Sequence, residues 1–428
     1  MKQSRLPKRF WSGALLFGLA ISTASAAAEE PAGLFLTWQQ DPTTTMTIDW
    51  HTVPNGGNAE QETIIKYREV GAEKWESRKG SRHTFPHSDR TIHRVELAGL
   101  EPGALYRFRV GEFEKRYKFR TMPTDIAGEP LVFAIGGDVR HQRSWMERTN
   151  KVAMRYDPDF IVWGGDLAYA DGRADRVYRW HEWFEVIRDT LVTEEGRVVP
   201  IVVGIGNHEM NVQRGGGFWY SFDDYEQTDQ WREANVPYFF PLFAFPGQPG
   251  YNVLDFGEYL SLISLDSGHA NPVEGEQTEW LEELLAERRE VPHVFPFYHV
   301  AAFPSARGYG GRVATRIRDN WAPLFDKYGV RVAFENHDHT YKRTPPLRMG
   351  EGIHPAGVVY LGDGAWGVST REVHDPAERS YLERAESIRH AIIGTLHGTH
   401  QHFLVVSEEG EVIDEYPSTR RHEATDFP

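Results

Sequence analysis

Alternation of apolar and polar residues dominates the chain from about Pro31 to Pro123. Short segments such as GLFLTW, MTIDWHT, HRVELAG and LYRFRVG carry this period, and turn residues such as Pro54-Asn55-Gly56-Gly57 separate them. Side chains of a β-strand point alternately to its two faces, so a period of two predicts strands with one buried face. A series of short strands joined by turns predicts an all-β sandwich of roughly 90 residues.

After Glu129 the pattern changes, because helical stretches now alternate with apolar, strand-like runs. The helical stretches are Trp145 to Tyr156, Asp175 to Thr190 and Gln277 to Arg289. Such alternation predicts an α/β domain in layers. Near the C-terminus, HFLVVSEEGEVIDEY predicts a β-hairpin with a glycine turn. We therefore expect mixed β-sheets flanked by helices. The region from Gly215 to Gly250 has little regular periodicity, and its aromatic residues favour an ordered rim.

Five apolar runs end in residues of the types that commonly bind metal ions in proteins. LVFAIGG ends at Asp138, FIVWGG at Asp166 with Tyr169 shortly after, VVGIG at Asn207-His208-Glu209, HVFPFY at His299, and VRVAFEN at His337-Asp338-His339. In open α/β sheets the binding crevice lies outside the carboxyl ends of the strands, so we expect these side chains to converge. They are more ligands than one ion needs. The sequence therefore predicts two metal ions.

The first residues have the features of a secretory signal peptide. Lys2, Arg5, Lys8 and Arg9 precede a short apolar run from Trp11 to Ile21, and Ala24-Ser25-Ala26 or Ala26-Ala27-Ala28 offers a cleavage site. The run is shorter than the roughly 20 residues that cross a bilayer. We expect a signal peptide at 1–28, a sandwich domain at 29–123 and a catalytic domain at 124–428, in a protein that is secreted or periplasmic and has no membrane span.

The charge of the chain restricts its partners. Removal of the four cations of the signal segment changes the formal net charge from −15 to −19. So acidic a protein is not expected to bind a nucleic-acid backbone, which requires Lys and Arg in place of counterions. The chain contains no cysteine, which excludes cysteine metal sites and a disulfide-linked dimer. The oligomeric state stays open.

The ordered blocks GD138, GD166LAY169, GNH208E, the isolated His299 and NHDH339 resemble the signature of the purple acid phosphatases, which are binuclear metallophosphoesterases. The segments from Asp41 to Trp50 and from Leu100 to Tyr106 resemble the fibronectin type III-like first domain of that family. In such a domain Tyr106 would form the tyrosine corner and Trp50 the core tryptophan. The resemblance implies a fibronectin III-like β-sandwich followed by an α/β metallophosphoesterase domain.

The resemblance also implies a role for each residue at the strand ends. One metal would be held by Asp138, Tyr169 and His339, the second by Asn207, His299 and His337, and Asp166 would bridge them. His208 would contact the substrate and donate a proton to the leaving group. The tyrosine phenol, with a pKa near 10 in water, favours Fe(III) at the first site, and the mixed nitrogen and oxygen set at the second suits divalent Zn, Fe or Mn.

Three departures from the family pattern concern the substrate rim. Arg140 and His141 follow the first aspartate, and either could reach the phosphate or belong to a solvated loop. The stretch HVAAFPSARGYGG has no second histidine, and Arg307, or less directly Tyr309, is the expected substitute. Asn336 replaces a glycine before the last histidines and is expected to tune a ligand. Glu209 and Glu335 are expected to orient imidazoles.

The reaction implied is hydrolysis of a small phosphate monoester at acid pH, with a metal-activated hydroxide that attacks phosphorus in line. A phosphodiesterase or nucleotide hydrolase on the same scaffold is an alternative, because the substrate histidines are missing. A non-catalytic protein that binds a surface through its first domain is a third reading, which the complete ligand set disfavours.

Overall fold

The structure is a computed structural model that describes Met1 and residues 30–54, 61–211, 228–246 and 250–417. The expected signal peptide lies outside the described residues except for Met1, and so do residues 215–227 and 247–249 of the expected rim. Within the described part of the chain, no helix is both long enough and apolar enough to span a bilayer.

The N-terminal region is built from β-strands in the residues that the structure describes. These are β1 (Gly33–Thr37), β2 (Thr45–Thr52), β3 (Ile64–Glu69), β4 (Glu76–Lys79), β5 (Ser81–Thr84), β6 (Thr91–Ala98), β7 (Leu105–Val110) and β8 (Tyr117–Arg120). They pair antiparallel in two sheets with the orders β1-β2-β6-β5 and β4-β3-β7-β8. The predicted all-β sandwich is confirmed.

Tyr106 and Trp50 occupy the positions expected of a fibronectin-like domain. The backbone N–H of Glu101 donates to the Tyr106 hydroxyl at 2.8 Å, which ties the start of β7 to the preceding turn. Trp50 lies on β2, is fully buried, and stacks on His93 with ring centroids 4.9 Å apart. Both expectations from the sequence are confirmed.

The C-terminal region contains the remaining strands and the helices. The strands are β9 (Leu131–Gly136), β10 (Phe160–Trp163), β11 (Ile201–Val203), β12 (Asn252–Phe256), β13 (Leu260–Ser264), β14 (His293–Val300), β15 (Val332–Asn336), β16 (Tyr341–Arg343), β17 (Leu347–Arg348), β18 (Gly352–Ile353), β19 (Val359–Gly362), β20 (Arg384–Glu386), β21 (His390–His397), β22 (His400–Ser407) and β23 (Val412–Tyr416). The helices are α1 (Arg143–Met154), α2 (Val177–Thr190), α3 (Asp229–Asn235), α4 (Phe239–Leu242), α5 (Glu276–Glu287), α6 (Arg312–Asn320) and α7 (Ala322–Tyr328).

Two mixed sheets form the centre of this region. One has the order β11-β10-β9-β21-β22-β23 and the other β12-β13-β14-β15-β19-β16-β20. The sheets pack face to face, since Phe133 on β9 lies 6.1 Å from Phe295 on β14 between ring centroids. Helices α1 and α2 cover the first sheet, and α5, α6 and α7 cover the second. The predicted layered α/β domain with mixed sheets is confirmed.

The sandwich also packs on the C-terminal region. Strand β2 is buried along its whole length rather than on one face. The strand is buried on its second face because His51 on β2 contacts Phe184 on α2, with ring centroids 4.4 Å apart. Phe35 on β1 stacks on the same phenylalanine at 5.3 Å. The helix that flanks the first sheet is therefore held between the two regions.

The predicted helices and the C-terminal hairpin agree with the structure to within a few residues at their ends. The hairpin is β22 and β23, which pair antiparallel. Helices α3 and α4 were not expected, because the segment around them has no helical periodicity. Tertiary packing explains α4, since Phe239 and Leu242 are fully buried against the first sheet's helices.

Candidate metal centre

The carboxyl ends of five strands meet at one crevice between the two sheets. Strands β9, β10 and β11 belong to the first sheet and run parallel, and β14 and β15 belong to the second and also run parallel. The side chains that follow them form two buried groups, Asp138–Asp166–His339 and Asp166–His299–His337. In each group the candidate ligand atoms lie within 4.8 Å of one another. The convergence expected from the sequence is confirmed.

The backbone around these side chains is strained. Of the eight described non-glycine residues with positive φ, six lie in this crevice: Asp138, Asp166, Tyr169, Asp171, His337 and His339. Each such conformation costs about 1–3 kcal/mol, and it persists where surrounding structure enforces it, most often at functional sites. The chain adopts this geometry to aim several polar side chains at one point.

A tyrosine lies against the first group. The Tyr169 hydroxyl lies 2.9 Å from Asp138 Oδ1 and 3.1 Å from His339 Nε2, and His339 Nε2 lies 3.0 Å from the same carboxylate oxygen. The other ring nitrogen of His339 contacts the Ser369 carbonyl at 3.1 Å. A carbonyl partner of this kind fixes the imidazole orientation in metal-binding histidines.

The second group brings an amide and two imidazoles together. His299 Nε2 lies 3.2 Å from Asn207 Oδ1, 3.0 Å from His337 Nδ1 and 3.2 Å from Asp166 Oδ2. His299 Nδ1 contacts the Gly164 carbonyl at 3.0 Å, so its Nε2 faces the cluster. Asp166 is common to both groups, as expected for a bridging ligand.

The residues present fit a pair of metal ions. Asp166 Oδ2 is buried and accepts no well-aligned hydrogen bond from the described part of the chain. Burial and the carboxylates of Asp138 and Asp166 raise the pKa of Tyr169 well above its ordinary value, so its proton is lost only to a strongly polarising cation. Buried oxygen donors that lack protein partners, beside several imidazoles, are the donor set of a metal site.

His208 lies at the edge of the cluster and not within either group. Its backbone N–H donates to Asp166 Oδ1 at 2.8 Å, and its Nε2 lies 3.8 Å from Asp166 Oδ2. Its Nδ1 contacts the carboxylate of Asp171, which also pairs with Arg176. Burial lowers the pKa of His208, but Asp166 and Asp171 outweigh it, so the pKa is raised overall.

Asp171 was missed by the sequence analysis. It follows Tyr169 by two residues in a turn, and nothing in the local pattern distinguishes it from a solvated turn residue. His269 was also missed. Its buried ring lies edge-on to that of His299, with centroids 5.6 Å apart. Strand β13 ends at Ser264, so the same rule that found the other residues at strand ends could have found His269.

The expected roles of Glu209 and Glu335 were wrong, because neither carboxylate contacts an imidazole in the structure. Glu209 accepts from the backbone N–H groups of Asp166, Leu167 and Gly206 at 2.8–2.9 Å. It therefore holds two strand-end loops together. Burial and Asp166 raise the pKa of Glu209 to about 7. Glu335 accepts a hydrogen bond from the backbone N–H of Ala302, in the loop after His299.

Asn336 is likewise structural, since its side chain donates to the Tyr298 carbonyl at 2.8 Å. A Cβ atom at Gly137 or Gly164 would lie within 2.4 Å of its amide. The asparagine therefore fills the space that these two glycines leave between the sheets. It binds no ligand side chain directly.

Besides His208, two of the four other expected substrate residues lie at the crevice. The His141 ring is 4.3 Å from the Tyr169 ring and 5.4 Å from the His339 ring, between centroids. Arg307 lines a cavity together with His337, and its Nε lies 3.2 Å from Asp338 Oδ1.

The other two expected substrate residues are engaged elsewhere. Arg140 is almost fully buried and pairs with Glu182 on α2, so it would have to leave that pair to reach a phosphate. Tyr309 stacks on Tyr381 at 5.0 Å, and the Arg318 guanidinium covers its ring at 3.7 Å. Neither side chain contacts the two ligand groups.

The turn GDGAWG, from Gly362 to Gly367, packs against Asp138 at the crevice. Gly364 has φ of 70°, and a Cβ atom there would lie 1.9 Å from Asp138 Oδ2. The backbone N–H of Gly367 belongs to the same turn and donates to the Asp138 carbonyl at 3.0 Å. The turn is structural, and it positions the first candidate ligand.

Comparison with known proteins agrees with this architecture. A model of the purple acid phosphatase N-terminal domain matches residues 31–121, and a model of the calcineurin-like phosphoesterases matches residues 131–341. An uncharacterised protein of Mycobacterium tuberculosis is 25% identical over 364 residues, which cover 76% of this chain and 64% of the relative. Purple acid phosphatase 21 of Arabidopsis thaliana is 26% identical over 293 residues, which cover 65% of this chain and 60% of the relative.

Among solved structures, purple acid phosphatase PPD1 from yellow lupin seeds superimposes with a TM-score of 0.71 at 17% identity, over 89% of this chain and 73% of that one. This likeness shows the fold. The chain spans about three fifths of the length of the curated relatives named above. With consecutive matches to both domain models, and with the two ligand groups in place, the chain belongs to the purple acid phosphatase family.

Proposed function

We propose that this protein is an acid phosphatase that hydrolyses small phosphate monoesters at a pair of metal ions. The observation that carries the proposal is the position of Asp166, which belongs to two buried ligand groups that each combine residues from both central sheets. A carboxylate shared in this way suits two adjacent ions, and adjacent ions suit the displacement reactions of phosphate esters.

The two sites would differ in their donors. Asp138, Tyr169 and His339 would hold Fe(III), because a phenolate and carboxylates are hard oxygen donors. Asn207, His299 and His337 would hold divalent Zn, Fe or Mn, and Asp166 would serve both ions. When bound, the ions supply Lewis-acid activation of water and neutralise the charge of the phosphate.

His208 would donate the proton that the leaving alcohol requires. Because Asp171 holds its Nδ1, the imidazole presents Nε2 toward the cluster, on the side of Asp166. A proton donor must lie within hydrogen-bond reach of the leaving oxygen, and the position of Nε2 beside Asp166, which both groups share, supports this role for His208. The side chain needs no movement away from Asp171 to act.

Arg307 and His141 would anchor the phosphate from opposite sides of the crevice. Arg307 borders His337 of the second group, and His141 borders Tyr169 and His339 of the first. A guanidinium can bind two phosphate oxygens at once, which compensates for the histidine that is missing after His299. Arg140 and Tyr309 have other partners and are not included in this proposal.

The direct experiment compares p-nitrophenyl phosphate with bis(p-nitrophenyl) phosphate as substrates of the metal-loaded protein. We expect the monoester to be hydrolysed faster by at least about 100-fold in kcat/KM. His208→Asn should reduce kcat by about 100-fold or more with metal content unchanged. A preference for the diester would establish the alternative phosphodiesterase or nucleotide hydrolase, and no hydrolysis of either ester would favour a non-catalytic binding protein.

The identity of the first metal has its own test. A tyrosinate bound to Fe(III) gives a charge-transfer band in the visible spectrum, and we expect this band in the wild-type protein and its loss in Tyr169→Phe. Tyr178→Phe is a matched control, since Tyr178 is an exposed tyrosine. A colourless protein with only divalent metal would overturn the iron assignment and leave the hydrolase proposal standing.

We further propose that the protein is exported. The basic start, the short apolar run and the alanine-rich cleavage site at 1–28 support this location. Expression of the full chain with its signal, followed by mass spectrometry of the exported protein, should give an N-terminus close to residue 29. Retention of the uncleaved chain inside the cell would contradict the proposal.

A further inference from the structure

A cavity of about 540 Å³ borders the metal centre on the side of His337. Its walls are largely apolar. The apolar lining comes from Val300, Ala301, Pro304, Val313 and Ala314. Val300 and Ala301 directly follow the ligand His299, so the wall begins at the metal centre and ends at helix α6. A group attached to a phosphate at the second ligand group would border this cavity.

The loop that forms the cavity wall is held by three buried carboxylates. Each carboxylate accepts hydrogen bonds from the backbone N–H groups of residues 302–307. Glu335 accepts from Ala302 at 2.7 Å, Asp363 from Ser305 at 3.2 Å, and Asp338 from Ala306 and Arg307 at 2.7 and 3.0 Å.

Lys342 links two of these carboxylates to the loop. It is fully buried, donates to the Phe303 carbonyl at 2.6 Å, and pairs with Glu335 and, at 3.5 Å, with Asp363. Buried charges persist where they are paired and hydrogen-bonded, and a satisfied network of this kind makes the backbone rigid. The cavity wall is therefore formed before any ligand binds.

One of the two arginines that line the cavity is paired with a buried carboxylate. Arg307 is the cation of the loop, and its guanidinium pairs with the buried Asp338 between the two histidine ligands. Beyond this pair, Arg312 at the start of α6 also lines the cavity, and the rest of the wall toward α6 consists of glycines and small or branched apolar side chains. Such a cavity favours an apolar group, and its volume lies within the roughly 300–1,000 Å³ that is typical of small-ligand pockets.

We propose that this cavity binds the alcohol portion of the phosphate ester and selects an apolar, ring-sized leaving group. The proposal rests on the function proposed above. In it, Arg307 separates the phosphate at the metals from the apolar group in the cavity, and Ala314 determines how large that group can be. The specificity follows from a preformed wall and needs no closure of the chain.

The test is isothermal titration of the metal-loaded full chain with phenylphosphonate and methylphosphonate. The two ligands share one headgroup and cannot be hydrolysed, so binding is measured without turnover. We expect phenylphosphonate to bind at least about tenfold more tightly, since even a single methylene in an apolar pocket changes affinity by roughly tenfold or more. Equal affinities would overturn the proposal.

Ala314→Leu should remove this preference, because the larger side chain occupies the cavity, while methylphosphonate affinity and metal content stay unchanged. Asp319→Leu on the exposed face of the same helix is the matched control and should keep the preference. An Ala314→Leu protein that still binds phenylphosphonate more tightly would contradict the assignment of this cavity.

The outcomes separate the two proposals. If neither phosphonate binds and neither nitrophenyl ester is hydrolysed, the proposed phosphatase function fails. If esters are hydrolysed but the two phosphonates bind equally, only the leaving-group cavity is wrong. The wild-type ratio decides this by itself, so an unstable variant, identified by thermal unfolding, would not leave the question open.

Discussion

At the scale of single residues, the orientation of His208 depends on Asp171. The carboxylate contacts Nδ1 of the imidazole and is itself held by Arg176. A histidine that transfers a proton must present one nitrogen to the reacting atom, and the partner of the other nitrogen decides which one it is. In the proposed reaction Asp171 would therefore act through His208.

We expect Asp171→Asn to lower kcat by about 10–100-fold, the usual cost of losing an outer partner at a metal site. KM and metal content should change little, because the ligand side chains remain. Asp175→Asn is the matched control, since Asp175 pairs with Arg173 on the neighbouring surface. Steady-state kinetics on p-nitrophenyl phosphate measures both variants, and an unchanged kcat in Asp171→Asn would show that the contact has no catalytic role.

The ligands themselves could be predicted from the sequence because each follows an apolar run that is a strand in the structure. Asp171 and the partner of Arg140 could not be assigned in the same way. Which group an arginine or aspartate meets depends on helices and turns distant in sequence, as the pair of Arg140 with Glu182 on α2 shows.

At the scale of elements, the turn after β19 determines the position of the first ligand. Gly364 approaches Asp138 so closely that no side chain can be accommodated, and its positive φ favours glycine as well. The backbone N–H of His337 donates to the same carboxylate at 2.8 Å. One turn thus fixes ligands that follow two different strands.

Gly364→Ala should destabilise the protein by about 1–3 kcal/mol more than Gly398→Ala, because only the first substitution adds a clash to the strained backbone. Gly398 also has positive φ, but a Cβ there meets no neighbour within 4 Å. Thermal unfolding and metal analysis of the two variants provide the comparison. Similar melting temperatures and full metal content in both would contradict the proposed role of the turn.

Most elements could be predicted, since hydrophobic periodicity is a local property of the sequence. The distribution of strands between two sheets could not, because strand pairing is set by contacts such as that between Phe133 and Phe295. For the same reason the sequence indicated one crevice but not that two sheets contribute to it.

At the scale of the whole molecule, Asp414 joins the two central sheets. It lies on β23 of the first sheet and accepts from Tyr341 and Arg343 on β16 of the second at 2.6 and 2.7 Å. Burial raises the pKa of Asp414, but the hydrogen bonds from Arg343 and Tyr341 outweigh it and hold the pKa below its ordinary value. The charged form therefore stabilises the fold.

We expect Asp414→Asn to lower the free energy of unfolding by about 1–3 kcal/mol near neutral pH. Because the folded pKa lies below the unfolded one, this contribution is present above about pH 3.9 and is lost as the pH falls through the folded pKa. Urea unfolding of the metal-free proteins at neutral and acid pH should show the difference between wild type and variant shrinking in acid.

Asp319→Asn at an exposed position is the control for Asp414→Asn and should leave unfolding unchanged. A difference that grows on acidification would contradict the assigned sign. A variant as stable as the wild type at neutral pH would show that the contact between sheets contributes nothing.

The central claim is that Asp166 joins two metal sites in one crevice, and the metal content of the purified chain tests it most directly. We expect two metal ions for each wild-type chain, one for each ligand group. The count should fall below one in Asp166→Ala and remain at two in His208→Ala, since His208 belongs to neither group. A wild-type chain that binds a single ion, or an Asp166→Ala chain that retains both, would contradict the account.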